Sequence, residues 1–347
     1  MKPLKLGIAY HGNRLINHTR EDLIDIVKHN FNTVVHMFSH NDMVRGKTAV
    51  KDVFQMTLDM GLELWVDNWG IGGTPGDPSH FLCYHPEAHQ YTSDGEVRPI
   101  NVCFNHESFV SFTKEWIDTV YDYGGRKIFW DEPSLISADD KFSCACPLCQ
   151  KLFEERYGRK MPSTPDKDTV DFQMWTVRNY FETVTAYARA KGMENIVCVM
   201  PGKKHGICLE TAGVLGEIES IDNIGTDPYW VGGPTGADVY KYVYESTKKC
   251  LDVCETYKKD HNLWIQGYGE RRGFEEDVVY AAQAAYDAGA RNIFVWGFRG
   301  CEANWYRAAR PELSWRCVGD AMQRVLDSER DRVIGEARKL VKQVRKL

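Results

Sequence analysis

Residues 287–298, DAGARNIFVWGF, carry a complete structural instruction. An alanine-rich amphipathic stretch stops at Gly289, the residue type best suited to the left-handed backbone that closes a helix. Three residues on, Asn292 opens a short apolar run rich in β-branched and aromatic side chains, the signature of a buried strand. The same order (helix, glycine, strand) recurs at DMGLELWV (59–66) and AKGMENIVCV (190–199). Repeated joints of this kind feed helices into a parallel sheet.

Working outward, eight apolar runs alternate with longer amphipathic stretches: 4–10, 31–38, 62–69, 127–132, 195–201, 221–230, 263–269 and 292–298. Helices are predicted at 20–30 after a Thr19 N-cap, and at 47–60, 106–123, 168–191, 236–259 and 274–288. Eight strands with intervening helices predict an α/β fold, a single (β/α)8 barrel, over residues 1–318. A charged helical extension, 319–347, is expected to pack on its outside. No glycine-rich phosphate loop follows the first strand, which argues against a doubly wound open sheet. The longest interruptions follow the third strand (70–105) and the fourth (133–167).

The 347 residues are 43% hydrophobic and 27% charged, with a formal net charge of −6. That balance supports a sizeable core and excludes a general binder of nucleic acid or anionic membrane, both of which require a basic face. MKPLKLGIAYHGN lacks the long apolar segment of a signal peptide, so a cytoplasmic location is expected. A homo-oligomer is compatible with this composition.

In a barrel of this type the active site forms at the C-terminal strand ends. The polar and aromatic residues there are Tyr10, His11, Asp67, Trp69, Asp131, Glu132, Asp227, Tyr229, Trp230, Gln266, Tyr268, Glu270, Trp296 and Arg299. Paired carboxyls with aromatic faces suit glycoside hydrolysis, and a small carbohydrate is the expected substrate. Glu132, last on the fourth strand in WDEP, is the first choice for general acid/base. Strand alternation predicts that Asp131 and Glu132 point to opposite faces. Asp227 in GTDPYW repeats the acid-then-proline ending, and is preferred over Glu270 and Asp67 as second carboxylate. Across the barrel mouth from Glu132, it would leave room for a water. Arg299 with Lys203 and Lys204 offers charge for an acidic sugar, and His205 stands beside them.

CACPLC (144–149) places three soft ligands in one loop. A tetrahedral structural Zn2+ needs a fourth, from Cys103 or from Cys83, His85 or His89. Four cysteines, Cys103, Cys144, Cys146 and Cys149, are the preferred set.

NVCFNHESF (101–109), RKIFWDEPSL (126–135) and CACPLCQKLFEERYG (144–158) together resemble the β-galactosidases of glycoside hydrolase family 42 and related clan A barrels. The resemblance implies Glu132 as acid/base and the same four cysteines as zinc ligands. Two positions depart from it: Asp131 stands where that family has asparagine, and Gln266 stands near its strand-7 nucleophile. A carbohydrate-binding barrel without hydrolysis would follow from the second departure. A metal-dependent lyase or isomerase would instead use His11, His36, His40 and Asp67.

Overall fold

A computed structural model describes residues 3–11, 14–69, 79–135, 141–202 and 207–344. Its strands are β1 (Lys5–Tyr10), β2 (Thr33–Met37), β3 (Glu63–Asp67), β4 (His89–Tyr91), β5 (Val97–Val102), β6 (Lys127–Trp130), β7 (Glu194–Val199), β8 (Asn223–Thr226), β9 (Asp260–Gln266) and β10 (Asn292–Trp296). Eight of them close into one parallel barrel, in the order β1-β10-β9-β8-β7-β6-β3-β2, and each overlaps a predicted run, although β9 starts three residues before its run. The remaining two, β4 and β5, form an antiparallel hairpin inside the long connection after β3.

The helices are α1 (Ile16–Lys28), α2 (His40–Arg45), α3 (Lys47–Asp59), α4 (Phe81–Tyr84), α5 (Glu107–Asp122), α6 (Pro147–Tyr157), α7 (Lys167–Ala190), α8 (Gly213–Gly216), α9 (Ala237–Tyr257), α10 (Asp277–Ala288) and α11 (Pro311–Val344). Thr19 is not an N-cap: α1 starts three residues earlier, and the Thr19 N–H already donates to the Leu15 carbonyl. The C-terminal helix α11 begins at Pro311, so position 318 falls inside it. Its residues Val318, Ala321, Met322 and Val325 are buried with α10 and the β1–β10 edge.

Alternation along the strands sorts two layers. Leu6, Ile8 and Tyr10 face the helices, as do Ile128 and Trp130. Ala9, Val35, Trp65, Phe129, Ile196, Cys198, Trp264 and Phe294 fill the barrel. Trp65 lies 4.4 Å from Phe294 between ring centroids, and Trp264 lies 4.9 Å from Phe129. Gly7 makes room for this filling, because a Cβ there would sit 2.1 Å from the Phe294 ring. The result is a dry aromatic floor directly beneath the C-terminal strand ends.

Candidate active site

A cavity of about 260 Å³ opens on that floor, lined by Trp69, Asp131, Glu132, Asp227, Tyr229, Tyr268, Trp296, Trp305 and Tyr306. Seven of these were predicted. Trp305 and Tyr306 were not, because they lie in the loop beyond β10 rather than at a strand end. The nearest sequence signal was the consecutive pair of large aromatics in Asn304-Trp305-Tyr306.

Asp131 and Glu132 both line the cavity, contrary to the alternation expected of them. Asp131 continues the inward face of Phe129, and its N–H donates to Asn68 Oδ1 (3.3 Å). Glu132 would continue the outward face of Trp130, but its backbone turns left-handed (φ +35°) and brings the side chain back inside. A non-glycine residue costs about 1–3 kcal/mol in such a conformation, and strain of this kind gathers at functional sites.

Glu132 and Asp227 are hydrogen-bonded to each other through their side chains. The water-sized gap expected between them is therefore absent. A hydrogen bond between two carboxyls requires a proton on one of them. Burial, then the charge of Glu132 and this hydrogen bond, hold Asp227 well above the usual carboxylate range. Burial, then Asp67 and Glu132, raise Asp131 in the same sense. Asp67 lies behind Asp131, fully buried on the inward face, with neither carboxyl oxygen partnered, and burial raises it too.

The aromatic wall is continuous. The Trp69 and Trp296 rings lie 5.0 Å apart at 36°, His11 packs edge-on against both, and Tyr229 meets Tyr268 edge-on at 5.2 Å. Burial, then Arg14, push the His11 imidazole down to about 4, so it is neutral at ordinary pH.

Five predicted residues lie elsewhere. Tyr10 faces the helices, where its hydroxyl donates to Asp22 (2.8 Å). Arg299 is paired with Asp25 (3.1 Å) and Asp22 (3.3 Å) on α1 and lines a separate cavity of about 430 Å³ with His18 and Glu21. It is thus committed to protein carboxylates, not to an acidic sugar. Lys203, Lys204 and His205 fall outside the described residues. Trp230 is buried between helices and donates its backbone N–H to Gln266 Oε1 (2.8 Å). Gln266 Nε2 in turn donates to the Tyr268 carbonyl (2.8 Å). This amide ties the exits of β8 and β9 together and needs both a donor and an acceptor, which a carboxylate cannot supply. Gln266→Glu should therefore create no nucleophile. It should destabilise the fold by about 1–3 kcal/mol in denaturant titrations, because the carboxylate would face a carbonyl oxygen.

Glu270 sits in a different, very small pocket with Gln266, Trp230 and Asp277. Burial pushes it up to about 7, opposed by its own backbone N–H and the Ser314 hydroxyl. In the unfolded chain a glutamate titrates near ~4.3. Between these values the folded protein holds a proton that the unfolded chain has released. Stability should therefore fall as pH rises through that window, by on the order of 3 kcal/mol. Melting curves of Glu270→Gln across the window should lose that slope.

Cys103, Cys144, Cys146 and Cys149 come together in the interior, with ligand atoms all within 4.8 Å of one another. Cys103 follows β5, Cys149 lies in the first turn of α6, and the other two occupy the loop between β6 and α6. His89 is turned to the Pro86 carbonyl and His85 to Glu87, so neither joins them. The Cys103–Cys149 Sγ separation of 3.3 Å is no disulfide. Four sulfurs around a tetrahedral ion with bonds of ~2.3 Å would stand about 3.8 Å apart, so the cluster fits a metal ion with little adjustment. Asn105 Nδ2 donates to Cys149 Sγ (3.3 Å), the outer support expected of a ligating thiolate. His36 is a core residue bonded to Thr57, and His40 is bonded to Ser79. Among the described residues, no His/Asp/Glu set around His11 and Asp67 forms a metal-binding group.

No family model matches the sequence, and no curated protein matches it. Solved structures do match its fold. The catalytic domain of β-amylase from Paenibacillus polymyxa superposes with a TM-score of 0.63 at 8% identity, over 91% of this chain and 98% of that one. An endo-1,4-β-mannanase from Rhizomucor miehei gives 0.59 at 10% identity, over 92% and 95%. A D-psicose 3-epimerase from Clostridium cellulolyticum H10, solved with D-tagatose, gives 0.50 at 11%, over 93% and 98%. At these identities the likeness shows the barrel fold alone. Among the described residues, no helix is long and apolar enough to cross a membrane.

Proposed function

We propose that this barrel is a glycosidase that cleaves a small glycoside or oligosaccharide. The observation that carries the reading is the hydrogen-bonded Glu132–Asp227 pair beside Asp131, under an aromatic rim at the C-terminal strand ends. Two of the solved structures that share the fold are carbohydrate-cleaving enzymes by name.

In this mechanism the Glu132–Asp227 pair holds one proton and Glu132 delivers it to the leaving glycosidic oxygen. Burial and like charge raise Asp227 and so favour retention of that proton on the pair, as a general acid requires. Asp131, the remaining carboxylate of the cavity, is the candidate for the second role, stabilising or attacking the anomeric centre. Trp69, Trp296 and the exposed Trp305 offer faces on which sugar rings stack.

The four cysteines are proposed to hold a structural zinc ion. It would lock the hairpin β4–β5 to the loop that leaves Glu132, where Ala145 N–H also donates to the Tyr91 carbonyl (2.8 Å).

A panel of aryl glycosides covering common sugars and both anomers tests the function. Turnover of at least one is expected. Binding of sugars without turnover of any would support a carbohydrate-binding barrel instead.

A further inference from the structure

We infer that the barrel-mouth cavity selects a glycoside bearing a positive charge, specifically an amino sugar with a free, protonated amine. This rests on the glycosidase reading and names the substrate class of the same site.

Glycoside cleavage requires two carboxyl groups. Here four converge: Asp131, Glu132 and Asp227 line the cavity, and Asp67 lies behind Asp131. Among its described lining residues there is no lysine, arginine or histidine. Two buried carboxylates elsewhere in the chain have cationic partners, whereas Glu270 and Asp277 have none among the described residues. Glu275, 3% exposed, receives both arms of Arg310 (2.6 and 2.7 Å), and Asp22 receives Arg299. Among the described residues, the barrel-mouth carboxyls have no such partner. Asp227 lines the cavity at 4% exposure with Oδ1 unpartnered, and Asp67 has both oxygens unpartnered at 0% exposure. Buried carboxyls left this way are unfavourable when ionised, and a ligand that brings a charge and several N–H donors removes the penalty.

The walls point to an organic cation. Ligand atoms of the acidic residues do not gather as those of the cysteines do, so they form no cage for a bare metal ion. The paired Trp69 and Trp296 rings and the Tyr229–Tyr268 pair present π faces, which attract ammonium groups. An ammonium group on a sugar ring would find rings for its apolar faces and carboxylates for its three N–H bonds. An N-acetyl or hydroxyl group at the same carbon brings no charge, and a uronic acid adds a repelling one.

The test is calorimetric titration of the intact protein with free-amine, N-acetyl, parent hexose and uronic acid forms of the same sugars. It is run in slightly acidic buffer where the amines are protonated, and paired with hydrolysis of the corresponding aryl glycosides. At least one free amine should bind roughly tenfold tighter than its N-acetyl and hydroxyl counterparts. Asp67→Asn and Asp227→Asn, both near-isosteric, should each reduce that preference while melting as the wild type does or higher. Equal or tighter binding of neutral or anionic sugars would overturn the inference, as would an amine preference that survives both substitutions. The two readings fail separately. Hydrolysis of a neutral glycoside without amine preference sinks the inference and keeps the glycosidase. Amine preference without hydrolysis of any glycoside does the reverse. Binding of no sugar sinks both.

Discussion

Glu132→Gln should leave a folded protein whose turnover of its best glycoside has fallen by about 10²- to 10⁴-fold, the range associated with a lost general acid. The amide has nearly the volume of the acid and can still hydrogen-bond Asp227, so the left-handed turn and the cavity should persist. It cannot surrender a proton to a leaving oxygen. Glycosides whose leaving groups are themselves acidic need little protonation, so the loss should be smallest on dinitrophenyl substrates and largest on alkyl glycosides or disaccharides. A uniform loss across leaving groups would move the acid role from Glu132 to its partner Asp227. The wild-type rate should also persist above the pH at which ordinary carboxylic acids have ionised, because burial and the charge of Glu132 raise Asp227, its partner in holding the proton.

The second large effect is expected at the cysteines. Cys146→Ser should take bound zinc from about one per chain to none and lower stability by more than about 4 kcal/mol, a size reserved for lost metals and broken buried networks. Cys146 is fully buried and in contact with Cys103, so its loss opens the cluster at its centre. A strong chelator should reproduce the effect on the wild type and leave the variant unchanged. Metal analysis and thermal melting check both points. Unaltered melting with no metal in the wild type would leave four buried thiols as simple packing.

The barrel was legible because its signals are local. Most strand runs close on or just before a turn residue, and Gly61, Gly192 and Gly289 close the helices that feed β3, β7 and β10. The cysteine cluster was legible from close spacing, with Cys103 supplied by a short stretch just ahead of α5. What the sequence hid depended on backbone detail or distant partners. Alternation separates Asp131 from Glu132, and no propensity signals the positive φ that brings both to the cavity. The face of Tyr10 follows from alternation with Leu6 and Ile8, and its position at a strand end concealed that. Arg299 looked available until α1 placed Asp22 and Asp25 against it. Gln266 looked like a lost nucleophile, and its two main-chain hydrogen bonds explain why an amide stands there. Trp305 and Tyr306 reach the cavity from a loop whose path no periodicity encodes.

Catalysis as proposed requires a glycosidic bond lying against Glu132 beneath the aromatic rim. A crystal structure of Glu132→Gln soaked with the best substrate of the panel tests it most directly. An intact glycoside is expected in the 260 Å³ cavity, with a ring against Trp69 or Trp296 and the glycosidic oxygen within hydrogen-bonding distance of the residue-132 side chain. A sugar seated instead in the Arg299 cavity, or bound at the mouth with its glycosidic oxygen away from residue 132 and Asp227, would contradict it.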